Sequence, residues 1–276
     1  MAGTLQFDEI GYWTELKLDI VREYAAAYST IVNARKFHHV YIDAFAGAGV
    51  HISKVSQEFV QGSPLNALLT DPPFREFFFI DIESQKTDLL RHFAGEREDV
   101  HIFQGDCNEI LLTEVFPKIR YEDYRRGLCL LDPYGLHLNW EVIARAGAMK
   151  TIDMFLNFPI MDMHRNSIWR QPERVSDSGI DRMNAYWGDD SWRRIAYKEV
   201  ATLFGPIEVK EEGSVIVKAF CERLRNVAGF ENVARPLPMK NMQGAIVYYL
   251  LFASQKQVAG EIVNDIFQKY ERRGMV

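Results

Sequence analysis

Four aspartates, Asp43, Asp81, Asp106 and Asp132, each follow a short apolar stretch of the sequence. They are about 25 to 40 residues apart, which is the length of a strand–helix unit. If each stretch is a parallel strand, the four carboxylates lie at the strand ends where open α/β sheets bind ligands. Carboxylates there can accept hydrogen bonds from ribose hydroxyls and from the exocyclic amine of a base. The pattern therefore predicts a site for a nucleoside-containing ligand.

Gly47 and Gly49 follow the first aspartate and let the backbone approach a ligand closely. A nicotinamide dinucleotide would need a further glycine or alanine that opens a helix, so that the helix N-terminus cradles the pyrophosphate. Bulky residues follow here instead, and residues 50–61 are typical of a long polar loop. We therefore exclude a dinucleotide site and expect the loop to border the ligand.

The elements that must position these residues alternate between strand and helix. Apolar runs predict buried strands at residues 40–46, 76–82, 100–103, 127–132 and 152–158. Helical spacing of apolar residues predicts helices at residues 12–28, 84–93, 108–116 and 140–149, and a further helix that starts near Ser63. The last part of the chain predicts helices at 215–226 and 258–270 and strands at 231–237 and 245–253. The sum is an α/β fold, with a mostly parallel seven-stranded sheet and helices on both faces.

Composition limits the class of protein. The 276 residues are 47% hydrophobic and 25% charged, as in an ordinary globular protein, and no linker or repeat divides them, so residues 1–276 are predicted to be one domain. Apolar runs are shorter than the roughly 20 residues of a membrane helix, and the first residues lack a secretory signal, so we expect a cytoplasmic protein without membrane association. The cysteines and histidines show no metal-site spacing, and no metal is expected. The net charge of −6 argues against a dedicated DNA-binding protein, although a local basic face stays open.

Residues 159–200 break the alternation and are predicted to be a helical insertion after the fifth strand, which caps the site. Tryptophans alternate there with arginines, a combination that suits base stacking and phosphate contact. Acidic residues nearly cancel the charge, so a cap with solvated ion pairs and its own small core stays open as an alternative. The candidate substrate contacts are Asn157, Arg165, Trp169 and Trp187.

In order, spacing and strand context, the four strand ends resemble the motifs of class I S-adenosylmethionine-dependent methyltransferases. Residues 43–49, Asp-Ala-Phe-Ala-Gly-Ala-Gly, are similar to the glycine loop under the methionine moiety. The resemblance implies a Rossmann-like class I methyltransferase fold in which Asp81 binds the ribose and Asp106 contacts the adenine. It implies S-adenosyl-L-methionine as the cofactor. The implied cofactor contacts are Lys17, Asp43, Ala44, Phe45, Gly47, Gly49, Ser63, Asp81, Ile82, Asp106, Cys107 and Asp132.

Two of these contacts have alternative interpretations. Lys17 can reach the carboxylate of the cofactor only if the first helix lies over the crevice, and otherwise it is a solvated lysine. Ser63 is a candidate N-cap of its helix, whereas the same helix N-terminus, if it faces the glycine loop, would favour an anion.

Short motifs along nearly the whole chain resemble the three-Cys-motif partner proteins, a methyltransferase-like group of bacteria and phages. The motifs are Trp13 with Lys17 and residues 41–49, 61–65, 130–136, 156–159 and 186–189. The resemblance implies a neighbouring protein with a cysteine motif, similar to a radical enzyme, as the partner. The cysteines of the family name belong to that partner, so Cys107, Cys129 and Cys221 inherit no such role.

Asp132-Pro133-Tyr134 is similar to the D/N-P-P-Y/F/W motif of methyltransferases that act on exocyclic amines. In those enzymes the acid or amide and a backbone carbonyl orient the amine, and the aromatic ring stacks on the substrate. Asp132, Pro133 and Tyr134 are therefore the catalytic candidates. The second proline is absent here, which weakens the case for a nucleobase amine. Tyr134 could instead pack on the sheet, and Asp132 could cap the next helix or orient Tyr134.

The chain is thus predicted to be an S-adenosylmethionine-dependent methyltransferase. The acceptor would be an amine or similar nucleophile on a nucleic acid, a nucleotide or a small molecule. One alternative is a catalytically idle cofactor-binding subunit of the neighbouring cysteine-motif protein. The other is a DNA adenine methyltransferase of a defence system, with Arg193 and Arg194 on duplex phosphates.

Overall fold

The structure, a computed structural model, describes residues 8–203, 205–241 and 243–272. The strands are β1 (Glu9–Ile10), β2 (His38–Asp43), β3 (Val50–Ser53), β4 (Phe59–Gln61), β5 (Glu76–Asp81), β6 (Val100–Gln104), β7 (Arg125–Leu131), β8 (Ile152–Phe158), β9 (Tyr197–Thr202), β10 (Gly205–Lys210), β11 (Asn232–Val233), β12 (Leu237–Lys240) and β13 (Ile246–Ser254). The α-helices are α1 (Tyr12–Ala34), α2 (Ser63–Leu68), α3 (Ser84–Ala94), α4 (Cys107–Ile110), α5 (Trp140–Met149), α6 (Ile160–Asn166), α7 (Asp177–Trp187), α8 (Trp192–Ala196), α9 (Gly213–Asn226) and α10 (Gln257–Arg272). Over these three ranges, no helix is both long enough and apolar enough to cross a bilayer.

The central sheet has the strand order β11-β13-β8-β7-β2-β5-β6, and β12 also pairs with β13, which gives eight strands within the described residues. The strands β6, β5, β2, β7 and β8 are parallel and follow the order 3-2-1-4-5 of a doubly wound fold. Strand β13 is antiparallel to β8, β11 and β12. The predicted Rossmann-like class is confirmed, but the sheet is mixed and has eight strands rather than seven.

The additional strand arises because the segment predicted as one strand, residues 231–237, contributes to two. In β11, Val233 pairs with Ala253, whereas in β12 Leu237 pairs with Leu250. Pro236 lies between the two strands and has no N–H to donate to the ladder. Both short strands therefore pair with different parts of β13.

The core lies on both faces of the sheet. In β2, Val40 and Ile42 point to one hydrophobic cluster and Tyr41 to the other, as strand alternation requires. Helices α1 and α10 cover the Tyr41 face, while α5 and α9 cover the opposite one. Strands buried on both faces are apolar along their whole length, which is why the sequence located them.

One local prediction is wrong, and two others are confirmed only in part. Residues 50–61, predicted as a loop, contain β3 and β4, which form a second sheet with β1. Glu9 of β1 pairs with Ile52 of β3, although the whole of α1 lies between them in the sequence. The predicted helix at 108–116 begins as α4 and continues as a π-helical turn, Leu111–Val115, and a 3-10 turn, Phe116–Lys118. Helix α1 also extends beyond the predicted residue 28 to Ala34.

The insertion after β8 is not purely helical. Helices α6, α7 and α8 are followed by the antiparallel hairpin β9–β10, so the irregular region ends at Lys210 rather than at residue 200. Trp187 and Trp192 are buried, and the ring centroid of Trp187 lies 5.3 Å from the ring centroid of Phe220 in α9. The small separate core of the alternative interpretation is therefore wrong, because these side chains belong to the main core. Its solvated ion pairs are present, as Arg193 with Glu208 and Lys198 with Glu211.

Candidate functional site

A cleft opens at the carboxyl ends of the parallel strands, at the predicted edge of the sheet. Phe45 and Tyr134 line both of its halves. The half that we name the Asp81 chamber has a volume of about 500 Å³ and includes Ala44, Asp81, Ile82, Asp106 and Cys107 in its wall. The half that we name the Lys17 chamber has a volume of about 470 Å³ and includes Lys17, Gly47, Ser63, Asp132, Pro133 and Asn157 in its wall. Each half is large enough for a small-molecule ligand.

Asp81 fixes the glycine loop to the end of β5. Its Oδ2 accepts a hydrogen bond from the N–H of Gly47 at 2.8 Å, and its Oδ1 accepts one from the N–H of Glu83 at 2.9 Å. Gly47 has a φ of +64°, a backbone conformation in which any residue with a side chain would be strained. Each carboxylate oxygen keeps a second lone pair, so ribose hydroxyls can still donate to Asp81.

The far wall of the Asp81 chamber combines an apolar surface with a carboxylate. Ile82 is 72% exposed although it is large and apolar. Asp106 is the N-cap of α4, and its Oδ1 accepts hydrogen bonds from the backbone N–H and the side-chain amide of Asn108, both at 2.9 Å. Its Oδ2 has no partner in the described part of the chain. A flat ring that carries an amine fits this wall.

Asp43 does not reach the cleft. It is fully buried under the glycine loop and lines neither chamber, so the direct cofactor contact predicted for it is corrected. Burial raises the pKa of Asp43 to about 7, although the side chain of Ser63 and the N–H of Phe45 act in the opposite direction. Asp43 therefore supports the loop from below and exchanges a proton near neutral pH.

This buried acid should make stability depend on pH. Because the pKa of Asp43 in the folded state, about 7, exceeds the ordinary value of about 3.9, the folded protein binds more protons between these values. Its free energy of unfolding should therefore fall as pH rises through this window. Between pH 5 and pH 7, the free energy of unfolding of the wild type should fall by about 2 kcal/mol more than that of Asp43→Asn, as measured by urea unfolding. Parallel pH profiles of the two proteins would contradict this expectation.

Gly49 and Ser63 connect the glycine loop to α2. The N–H of Gly62 donates to the carbonyl of Gly49 at 2.7 Å, and Gly49 lines neither chamber. Helix α2 begins at Ser63 with Gly62 as its N-cap, so the interpretation of Ser63 as the helix cap is wrong. Ser63 instead lines the Lys17 chamber, beside the loop.

The Lys17 chamber contains a charged cluster that joins three elements. Lys17 of α1 is 3% exposed and forms an ion pair with Asp132 after β7. Asn157 of β8 donates from Nδ2 to Asp132 Oδ1 at 2.7 Å, and its own Oδ1 is buried with no partner in the described residues. The first helix thus lies over the crevice, and Lys17 is not a solvated lysine. Its pairing with Asp132 was not predicted.

The structure also decides between the interpretations of the Asp132-Pro133-Tyr134 motif. Asn139, not Asp132, is the N-cap of α5, so the capping role for Asp132 is wrong. Tyr134 is 65% exposed, so it does not pack on the sheet. The ammonium group of Lys86 lies 5.6 Å from the centre of its ring. Tyr134 therefore presents its ring at the boundary of the two chambers.

The cleft is also lined by residues that the sequence analysis did not select as site residues. In the Lys17 chamber these include His51 and Tyr248, and in the Asp81 chamber they include Arg182 of α7. Burial lowers the pKa of His51, whose Nδ1 is buried and has no partner in the described residues, so the ring is neutral at pH 7. The position of His51 next to the glycine loop was the available signal. Arg182 belongs to the insertion, whose arginines were themselves a signal, whereas Tyr248 is brought in by a distant segment and had none.

Three predicted substrate residues lie outside the chambers. Trp187 is 1% exposed and its contact with substrate is corrected, because the indole fills the core. Arg165 and Trp169 line neither chamber, but both are exposed on the insertion. Of the predicted substrate contacts, the structure brings Asn157 into the cleft.

Comparison with known proteins adds information on the fold. No family model matches the chain, and no curated protein matches it significantly in sequence. Among solved structures, the chain is similar to a Legionella pneumophila protein, LPL1258 of family-model DUF519, with a TM-score of 0.55 and 9% identity over 91% of this chain and 90% of the other. At this identity, the likeness is one of fold.

Two structures with methyltransferase names are more distant. A candidate S-adenosylmethionine-dependent methyltransferase of Listeria monocytogenes gives a TM-score of 0.42 and 12% identity over 80% of this chain and 92% of the other. The methyltransferase domain of the bacterial CtHen1-CN protein gives a TM-score of 0.41 and 10% identity over 85% of this chain and 99% of the other.

Proposed function

We propose that this protein transfers a methyl group from S-adenosylmethionine to a nitrogen nucleophile. The observation that carries the proposal is the arrangement of the cleft. The Asp81 chamber, which suits a nucleoside, adjoins the Lys17 chamber at Phe45 and Tyr134. In the Lys17 chamber, Asp132 is paired with Lys17 and Asn157. The bound cofactor supplies an electrophilic methyl group.

The Asp81 chamber supplies the contacts that the nucleoside part of the cofactor requires. Asp81 accepts from the ribose hydroxyls, and Asp106 accepts from the adenine amine. Ile82 and Cys107 offer apolar surface to the ring. The glycine loop, held by Asp81, leaves room for the methionine part beside Gly47 in the Lys17 chamber.

The Lys17 cluster orients the acceptor. The Asp132 carboxylate accepts a hydrogen bond from an N–H of the acceptor, which aims the nitrogen lone pair at the methyl group. Lys17 and Asn157 hold that carboxylate in place, so little reorganisation is needed during the reaction. A planar acceptor can stack on Tyr134, a contact worth about 1–3 kcal/mol if the acceptor is a base.

The cofactor site can be tested by calorimetry. The protein should bind S-adenosylmethionine and S-adenosylhomocysteine. Asp81→Ala should weaken the binding of both compounds at least about tenfold, because it removes a charged acceptor and the hydrogen bond that holds Gly47 in place. Asp88→Ala is the matched control, since this exposed aspartate of α3 pairs with Arg91 away from the chambers. Failure of the wild type to bind either compound would overturn the proposal.

We further propose that the chain is a bacterial or phage three-Cys-motif partner protein that acts in the cytoplasm beside a cysteine-motif protein. The support is that Lys17 and Asp132, from two of the motifs shared with that group, meet in one ion pair. The idle-subunit alternative predicts cofactor binding without methyl transfer, both in the wild type and in Asp132 variants.

A further inference from the structure

Trp169 is an exposed aromatic side chain held in a fixed position. It is 39% exposed, yet its Nε1–H donates to the carbonyl of Arg165 at 2.6 Å. Its own carbonyl accepts from the hydroxyl of the buried Tyr197 at 2.9 Å. A large apolar ring that is rigid and open to solvent is a platform on which another flat ring can stack at little entropic cost.

Three cations lie near this platform. Arg165 and Arg170 are exposed, and Lys210 donates from Nζ to the carbonyl of Ile168 at 2.6 Å. Burial, and then the charge of Arg170, lowers the pKa of Lys210, so these two cations are near each other. Within the described ranges, neither arginine nor Lys210 forms an ion pair. We name the group of Arg165, Trp169, Arg170 and Lys210 the Trp169 surface.

Two other cations of the insertion have acidic partners. Arg193 lies 3.5 Å from Glu208, and Lys198 lies 3.2 Å from Glu211. The Trp169 surface thus carries three cations that form no ion pair within the described residues, although the insertion as a whole has a net charge near zero. Of the two arginines considered for duplex contact, Arg193 is paired with Glu208, whereas Arg194 forms no ion pair within the described residues.

Helix α6 connects the cleft to the Trp169 surface. The helix begins at Ile160, three residues beyond Asn157 and with one residue between it and the end of β8, and it carries Arg165 near its end. The backbone at Gly135, beside Tyr134, is so close to α6 that a Cβ there would lie 2.7 Å from Asp162 Oδ2. The rise along α6 is about 10 Å. A short extended polymeric ligand can therefore contact the Trp169 surface and the Lys17 chamber at the same time.

We infer that the Trp169 surface binds single-stranded nucleic acid and leads it to the Lys17 chamber. An unstacked base stacks on the indole, while Arg165, Arg170 and Lys210 contact phosphates. A single strand is favoured over a duplex because its bases expose their faces and can enter a chamber. That this strand is the methyl acceptor rests on the proposed function, whereas the binding itself does not.

Fluorescence anisotropy with labelled oligonucleotides of about 16 nucleotides tests the inference. Single-stranded RNA, single-stranded DNA and duplex DNA are compared over a range of salt concentrations. Single strands should bind more tightly than the duplex. Trp169→Ala should weaken single-strand binding about tenfold, and Trp169→Phe should restore most of it. In Arg165→Ala/Arg170→Ala, the slope of log affinity against log salt should fall by about 1.4, for two lost phosphate contacts.

Arg193→Ala is the matched control, since its guanidinium is paired with Glu208, and its affinity should stay within about twofold of the wild type. The inference is overturned if single strands do not bind at low salt, if the duplex binds more tightly, or if the Trp169 and arginine variants bind like the wild type. Calorimetry with S-adenosylhomocysteine on the same samples reports the cofactor site independently, so failure of the proposed function remains distinguishable.

Discussion

Replacing Asp132 with asparagine is expected to lower the rate of methyl transfer at least about 100-fold and to leave S-adenosylhomocysteine affinity nearly unchanged. The carboxylate is the charged acceptor in the Lys17 chamber that Asn157 and Lys17 hold in place. The amide cannot reproduce its charge or both of its acceptor positions. Transfer from labelled S-adenosylmethionine to single-stranded RNA and DNA, with calorimetry in parallel, measures the two effects.

The control for this variant must address Lys17, because removing one partner of a buried ion pair leaves an uncompensated charge that can cost about 3–5 kcal/mol. The double variant Lys17→Met/Asp132→Asn removes both charges together. We expect it to recover much of the stability lost in Asp132→Asn but none of the methyl transfer. Transfer by Asp132→Asn within a few-fold of the wild-type rate would contradict the role assigned to Asp132.

Trp187→Ala is expected to destabilise the fold by about 3–5 kcal/mol. The indole is 1% exposed, its ring packs 5.3 Å from Phe220, and its Nε1–H donates to Ser191 at 3.0 Å. Truncation leaves a cavity between the insertion and α9, and it also leaves Ser191 without this partner. Urea unfolding of the wild type and the variant gives the difference in the free energy of unfolding.

Trp169→Ala is the comparison for this experiment, because it removes the same side chain from the same insertion at an exposed position. It should cost less than about 1 kcal/mol in stability while weakening oligonucleotide binding. The two tryptophans should thus have opposite phenotypes. Equal loss of stability in both variants would show that Trp169 is a core residue, and a small loss in Trp187→Ala would contradict its place in the core.

Much of the site could be located from local pattern. The apolar runs that end at Asp81 and Asp132 are long and continuous because those strands are buried on both faces, so their carboxyl ends were recognisable. Asp43 also ends such a strand, but its side chain is under the loop rather than in the cleft. Strand position alone does not tell which way a terminal side chain turns.

Other features had no local signal. The β3–β4 hairpin was predicted as a loop because its strands are only four and three residues long and their partner strand β1 is far away in sequence. The tryptophans of the insertion looked equivalent, since each is surrounded by charged residues. Whether such a ring is buried depends on what packs against it, and for Trp187 that is Phe220.

By itself, the sequence determined the α/β alternation, the strand ends that carry Asp81, Asp106 and Asp132, and the glycines between them. These properties follow from side-chain periodicity and backbone freedom, which act over a few neighbouring residues. Only the tertiary structure decided that Lys17 meets Asp132 across 115 positions, and that Trp187 is core while Trp169 is surface. Ion pairing and burial depend on which segments pack together, and that is a property of the whole chain.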